Sequence, residues 1–191
     1  MATRNEHKLR ELGEILTAVE LQPLAAGVEL PPETGETFAD NALAKARTAR
    51  RATGAAAIAD DSGIVARALG GAPGVRSARF AGPDASDEEN LALLLRELEP
   101  TDDRGVAYVC VLAYVDEAGS ARLFEGRCDG TLASAPRGSG GFGYDPAFVP
   151  TDAGPGDERT MAELSLEEKN EISHRGRAAR ALAEFLFAGT H

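Results

Sequence analysis

The 191-residue sequence contains no tryptophan, only two cysteines, two methionines and three histidines, and its aromatic residues amount to 5%. Two cysteines in a chain of this size exclude a disulfide framework, and neither Cys110 nor Cys128 stands in a metal-ligand spacing, so both are expected to be reduced thiols. Basic residues are also scarce: 20 Lys and Arg against 31 Asp and Glu leave a net charge of −11 and a pI near 4.8. No basic stripe is present, which argues against electrostatic binding to nucleic acid or to an anionic membrane. A polyphosphate substrate would therefore need a metal ion and locally clustered cations. No apolar run approaches the roughly 20 residues of a membrane span, and the N-terminus turns polar within three residues, unlike a signal peptide. The expectation is a soluble, cytoplasmic protein. Hydrophobic residues make up 43% of the chain, enough for one substantial core and short of two.

Periodicity organises the rest. Between residues 7 and 20, Leu9, Leu12, Ile15, Leu16 and Val19 recur at helical spacing. Thr37 with Asp40 resembles a capping pair that opens a helix through Arg51, with Asn41, Lys45 and Thr48 on one face. Ser86 and Glu89 form a capping box before Leu91, Leu94, Leu95 and Leu98, and Pro100 ends that helix. Residues 106–114 read as a strand, 116–119 as a turn and 121–128 as a returning strand. Residues 135–157 have no periodic pattern and read as irregular. Ser165 and Glu168 form another capping box at the start of helical sequence that runs to Ala188. Strands mixed with helices, one antiparallel hairpin among them, make this an α/β domain with a mixed sheet.

Five segments carry chemistry. At residues 55–63 a short apolar run stops at Asp60, Asp61, Ser62 and Gly63. Mg²⁺ needs only one or two protein carboxylates beside substrate phosphates, and turn formation is the competing reading of the same residues. If strand geometry persists, the two aspartates point to opposite faces, one toward a metal and one toward structure. At residues 3–8 a polar loop with Lys8 suits phosphate oxygens at a helix N-terminus, and a plain N-cap by Asn5 is equally economical. Residues 33–38 offer carboxylates that either ligate or simply suit the helix dipole. Residues 138–146 interleave glycines with Phe142 and Tyr144, which permits close backbone approach and stacking on a purine, or else a flexible turn with core aromatics. At residues 168–176 a straight helix would scatter Lys169, His174 and Arg175. A break at Ser173 would instead start the last helix at His174; a continuous, solvated, charge-laced helix is the alternative.

Taken in order, Thr3-x-Asn5-x-x-Lys8, Glu33-Thr34-Gly35, Ala59-Asp60-Asp61-Ser62-Gly63, the Gly70-Gly71-Ala72-Pro73-Gly74 turn, residues 140–146 and Ser173-His174-Arg175 resemble the inosine triphosphate pyrophosphatase family, over essentially the whole chain. The resemblance implies Mg²⁺-dependent hydrolysis of ITP, dITP and XTP to the monophosphate and pyrophosphate. It further implies a homodimer and an elongated α/β domain, residues 1–191, around a long central mixed sheet flanked by helices. By position, Asp61 matches the proton acceptor and a metal ligand, and Glu33 a second metal ligand. Thr3, Asn5 and Lys8 match the phosphate loop. Ser62, Phe142, Gly143, Tyr144, Asp145, Lys169, His174 and Arg175 match the other nucleotide contacts, and Lys45 is added as a second phosphate cation. Two departures stand out: the family's apolar strand before the Thr-x-Asn loop is missing or cut short, and Arg4 replaces a frequent glycine, which adds a phosphate contact. A purine-nucleotide-binding module without turnover is the alternative function. Retention of Glu33, Asp60, Asp61 and Lys8 favours the enzyme, because a binder has no need of a water-activating carboxylate.

Overall fold

Four strands, β1 (Ala57–Ala66), β2 (Gly105–Val115), β3 (Ala121–Leu132) and β4 (Phe148–Pro150), form one sheet in that order. The computed structural model describes residues 1–3, 5–17, 19–25 and 27–188. β2 and β3 are joined by a tight turn in which Asp116 Oδ1 accepts from Ser120 N at 2.8 Å, a connection too short for a parallel crossover. β3 and β4 pair antiparallel, with Thr131 opposite Val149. The sheet is antiparallel, where the patterning suggested mixed strand directions. No strand precedes the first helix among the described residues; Ala2 N donates to Ile58 O at 2.7 Å.

β1 runs through Asp60, Asp61 and Ser62 to Ala66, so the strand continues past the apolar run and the competing turn is not formed. Residues with turn preference are held in extended form by tertiary partners, given below, which outweigh local propensity. The first helix, α1 (Glu6–Ile15), is shorter than its apolar spacing suggested. Leu16 leaves helical dihedrals (φ −91, ψ 46) and Val19 N bonds Leu16 O at 2.9 Å. That turn brings Val19 back onto the core that α1 covers. Next come α2 (Phe38–Thr53), capped by Thr37, and α3 (Asp87–Glu97), opened by the Ser86–Glu89 capping box. The last helical stretch is divided as α4 (Leu166–Ile172) and α5 (His174–Ala188), with Ser173 extended between them at φ −66, ψ 153. The break expected at Ser173 is present.

Tertiary contacts divide the chain into two units, and β1, β2 and β3 contribute residues to both. The first comprises Met1–Ser62, Cys110–Gly126 and the segment from His174 onward. Its strands cover two cores. On one face Ala57 and Ala59 pack with Val111 and Ala113 against Ala42, Ala46 and Ala49 of α2. On the other, Ile58, Cys110 and Leu112 pack against Leu12 of α1, the following Leu16, and Ala178 and Leu182 of α5. α5 lies so close to β3 that a Cβ at Gly126 would sit 2.0 Å from His174 O and 2.6 Å from Ala178 N. The second unit, Gly63–Val109 with Arg127–Ser173, has a core in which Leu91 and Leu94 of α3 and its C-cap Leu98 meet Ile64, Tyr108 and Phe148. No helix among the described residues is long and apolar enough to cross a membrane.

Candidate active site

The site grows from the period-2 geometry of β1. Ala57 and Ala59 face α2, so Asp61 faces α2 as well, while Ile58 and Asp60 face α1 and α5. On the α2 side, Asn41 and Lys45 stand one helical turn apart, an i, i+4 pair on a face otherwise lined by alanine. Asn41 Nδ2 donates to Asp61 Oδ2 at 2.9 Å. Lys45 Nζ lies 2.5 Å from Glu33 Oε1 and 3.6 Å from Asp61 Oδ1. One ammonium thus stands between the two carboxylates that the sequence nominated as metal ligands. Burial pushes the Asp61 carboxyl above its ordinary range, and Lys45 and Asn41 offset only part of this. Burial would lower the Lys45 pKa, but Asp60, Asp61 and Glu33 together outweigh it and raise it.

On the opposite face of the strand, Asp60 is 1% exposed and pairs with Lys8 Nζ at 2.7 Å. Arg175 Nη2 lies 3.8 Å from the same carboxylate and donates to Ser62 Oγ at 3.0 Å. Burial would raise the Asp60 pKa; Lys8, then Arg175 and Lys45, outweigh it and hold the carboxyl at about 2. Asp60 is therefore a fixed anion that orients two cations, whereas Asp61 carries the raised pKa suited to accepting a proton. The opposite facing of the two aspartates expected from strand alternation is observed. Asp60 Oδ1 is buried without a hydrogen-bond partner among the described residues. Arg175 also donates through Nη1 to Glu11 Oε2 of α1.

Thr3 Oγ1 accepts from Asn5 N at 3.2 Å, and Asn5 Oδ1 accepts from Lys8 N at 3.1 Å as the N-cap of α1. The capping reading of Asn5 is the one observed. Arg4 lies outside the described residues. His174, the first residue of α5, is 5% exposed. The first unit thus contains Thr3, Asn5, Lys8, Glu33, Lys45, Asp61, Ser62, His174 and Arg175.

The remaining nominated residues belong to the second unit. There Asp145, 3% exposed, accepts from Phe142 N at 2.9 Å through Oδ2 and from Tyr108 OH at 3.0 Å through Oδ1. Lys169 Nζ pairs with Asp145 Oδ2 at 2.7 Å and lies 5.1 Å from the Phe142 ring centroid, a cation–π distance. Gly143 N donates to Asp87 Oδ2 at 2.8 Å, and Tyr144 OH donates to Ser77 O at 2.7 Å. Tyr144 is thereby a buried core aromatic, and burial raises its pKa.

Sequence reading missed Glu11, Asn41 as a partner of Asp61, and Tyr108. The signal for Glu11 is a carboxylate beside Leu12 on the buried side of an amphipathic helix, and that for Asn41 is its i, i+4 relation to Lys45. Among the described residues no group of three or more metal-ligating side chains occurs. Mg²⁺ asks for fewer, one or two protein carboxylates, and Glu33 and Asp61, both drawn to the Lys45 ammonium, are a donor set of that kind.

Comparison with known proteins gives the family. The profile of the Ham1 family matches residues 1–185. A dITP/XTP pyrophosphatase of Mycobacterium bovis is 50% identical over 191 residues, covering 95% of this chain and 91% of the relative. One of Geobacter sulfurreducens is 47% identical, covering 97% of this chain and 94% of the relative. Among solved structures, a HAM1 protein from Coxiella burnetii superposes with a TM-score of 0.88 at 42% identity, covering 98% of this chain and 97% of that one. With a family profile spanning nearly the whole sequence and relatives at half identity, the chain belongs to the Ham1 family.

Proposed function

We propose that this protein is a nucleoside triphosphate pyrophosphatase that hydrolyses deaminated purine nucleotides, ITP, dITP and XTP, to the monophosphate and pyrophosphate. The observation that carries this reading is Lys45 held between Glu33 and Asp61, at 2.5 and 3.6 Å, on the face of β1 opposite the Asp60–Lys8 pair. Turnover chemistry needs such a cluster and simple binding does not. The names of the relatives, dITP/XTP pyrophosphatase, support the same reaction class.

In this reading Glu33 and Asp61 would hold Mg²⁺, which when bound would supply Lewis-acid polarisation of the phosphate and activation of water. Asp61 accepts the proton of the water that attacks the α-phosphorus. The bond from that phosphorus to the bridging oxygen breaks, and pyrophosphate leaves. A carboxyl whose pKa burial has raised is a better base than an exposed one. Lys8 and Lys45 offset the triphosphate charge, with Thr3 and Asn5 beside Lys8, with Ser62 as a further contact and with Arg4, by its place in the sequence motif, as another. Phe142 stacks on the purine, in a loop formed with Gly143, Tyr144 and Asp145. Lys169, His174 and Arg175 supply donors to the 6-keto oxygen, where adenine carries an amino group; the mismatch against ATP would leave buried donors unpaired. A homodimer and a cytoplasmic location belong to the same reading.

The deciding experiment is chromatography of early time points from ITP and Mg²⁺. IMP and pyrophosphate without IDP are expected. Accumulation of IDP and orthophosphate would mean attack at the terminal phosphate and would overturn the assignment.

A further inference from the structure

Within the second unit, residues 142–145 form a turn that clasps itself. Asp145 N donates to Phe142 O at 3.3 Å, and Phe142 N donates to Asp145 Oδ2 at 2.9 Å. The glycines on either side of Phe142 are left-handed, φ 70 at Gly141 and φ 63 at Gly143, and a Cβ at Gly141 would lie 2.1 Å from Asp145 Oδ2. The clasp fixes the turn internally. Asp145 is tied below by Tyr108 and Lys169, and Tyr144 by Ser77 O. All of these ties lie on the C-terminal, buried half of the turn. Phe142 and Gly143 are only half-buried, and the amide of Gly143 reaches a different element: it donates at 2.8 Å to Oδ2 of Asp87, the first residue of α3.

We propose that Asp87 is a positioning residue for substrate recognition: by accepting from the Gly143 amide, it holds the Phe142 ring at the height and angle at which a purine stacks. The inference rests on the assignment of Phe142 as the stacking residue. α3 is suited to the task because its N-terminus is rigid. A complete capping box fixes Ser86 and Glu89, and Leu91 and Leu94 anchor the helix in the core. Asp87 itself is exposed and contributes nothing to that core. Positioning through an intermediate group is felt in ground-state binding before it is felt in the chemistry, because the reacting phosphorus is far along the substrate from the base.

The test is steady-state kinetics with ITP on Asp87→Ala, Asp87→Asn and Phe142→Ala, with thermal melting of each. Asparagine keeps an acceptor oxygen for the Gly143 amide and loses the charge that favours a helix N-terminus, so the pair separates latch from helix stabilisation. Expected are a KM at least fivefold higher for Asp87→Ala with kcat within twofold of the parent, and a KM within twofold for Asp87→Asn. A KM for Asp87→Ala within twofold, a parallel fall in kcat, or an Asp87→Asn variant as impaired as Asp87→Ala overturns the proposal. If Phe142→Ala leaves the KM for ITP unchanged, the stacking assignment itself fails. If Phe142→Ala is impaired and Asp87→Ala is not, only the latch fails.

Discussion

Arg175 and Glu11, 164 positions apart in sequence, form an ion pair between α5 and α1 in which both side chains are at most 4% exposed. Burial would lower the Arg175 pKa, yet Glu11 and Asp60 raise it further, so the guanidinium is charged at every working pH. The helix that carries Lys8 and the motif that carries His174 are thereby joined inside one unit. Glu11→Gln keeps the shape and removes the charge, leaving Arg175 with Asp60 at 3.8 Å as its nearby anion. Breaking a buried pair costs roughly 3–5 kcal/mol, and the remaining anion places the expected loss toward the low end. Differential scanning fluorimetry should register a drop of several degrees in Tm.

The complementary substitution, Arg175→Ala, tests whether this residue also reads the purine. Specificity for ITP over ATP, taken as the ratio of kcat/KM values, should shrink, because a guanidinium only donates and gains nothing from an amino group. An equal loss with both nucleotides would assign Arg175 to scaffold alone.

Asp61→Asn should abolish turnover. The amide preserves side-chain shape, including an oxygen for Asn41 Nδ2, while removing the proton acceptor and one metal-holding charge. A loss of at least 100-fold in kcat at saturating Mg²⁺, with Tm within a few degrees of the parent, is expected from initial-rate assays. Turnover within tenfold of the parent would remove Asp61 from the catalytic role. Chelation with EDTA should likewise stop hydrolysis, and added Mg²⁺ restore it.

Acid should destabilise the first unit through Asp60. Its folded pKa of about 2 lies below the ordinary value of 3.8, so the folded state binds the proton more weakly than the unfolded chain does. The stabilisation is complete above about pH 5, shrinks as the unfolded carboxyl titrates near pH 4, and is gone below about pH 2. It amounts to something on the order of 2 kcal/mol. Urea unfolding at pH 6, 4 and 3 should show a falling midpoint, and Asp60→Asn should flatten that dependence while lowering the midpoint at pH 6.

Gly126→Ala should be among the most disruptive single-methyl changes in the chain. Its Cβ would meet backbone of α5 at 2.0 and 2.6 Å, and backbone cannot swing aside as a side chain can. A loss of roughly 1–3 kcal/mol is expected, measured as Tm, together with weakened nucleotide binding because His174 and Arg175 open that helix.

Local rules made much of this legible. The capping boxes at Ser86 and Ser165, the extended break at Ser173 and the opposite orientations of Asp60 and Asp61 all follow from interactions within four residues of chain. What escaped depends on distant partners. β1 continues past Asp60 because Lys8, Asn41 and Lys45 engage its carboxylates, and the final apolar positions of the α1 segment turn back onto the core instead of extending the helix. For the Glu11–Arg175 pair, the local pattern hints that Glu11 is buried but does not identify its partner. The pair's members are an ordinary charged residue on a helix and the last member of a short polar motif.

The alternation of β1 also constrains how this enzyme can change. Asp60 and Asp61 are chemically identical neighbours, and strand parity gives them different partners, Lys8 for one and Asn41 and Lys45 for the other. Inserting or deleting a single residue between Ala57 and Asp60 would exchange their faces and bury alanine positions on the wrong side at the same time. This segment therefore tolerates replacement only position for position.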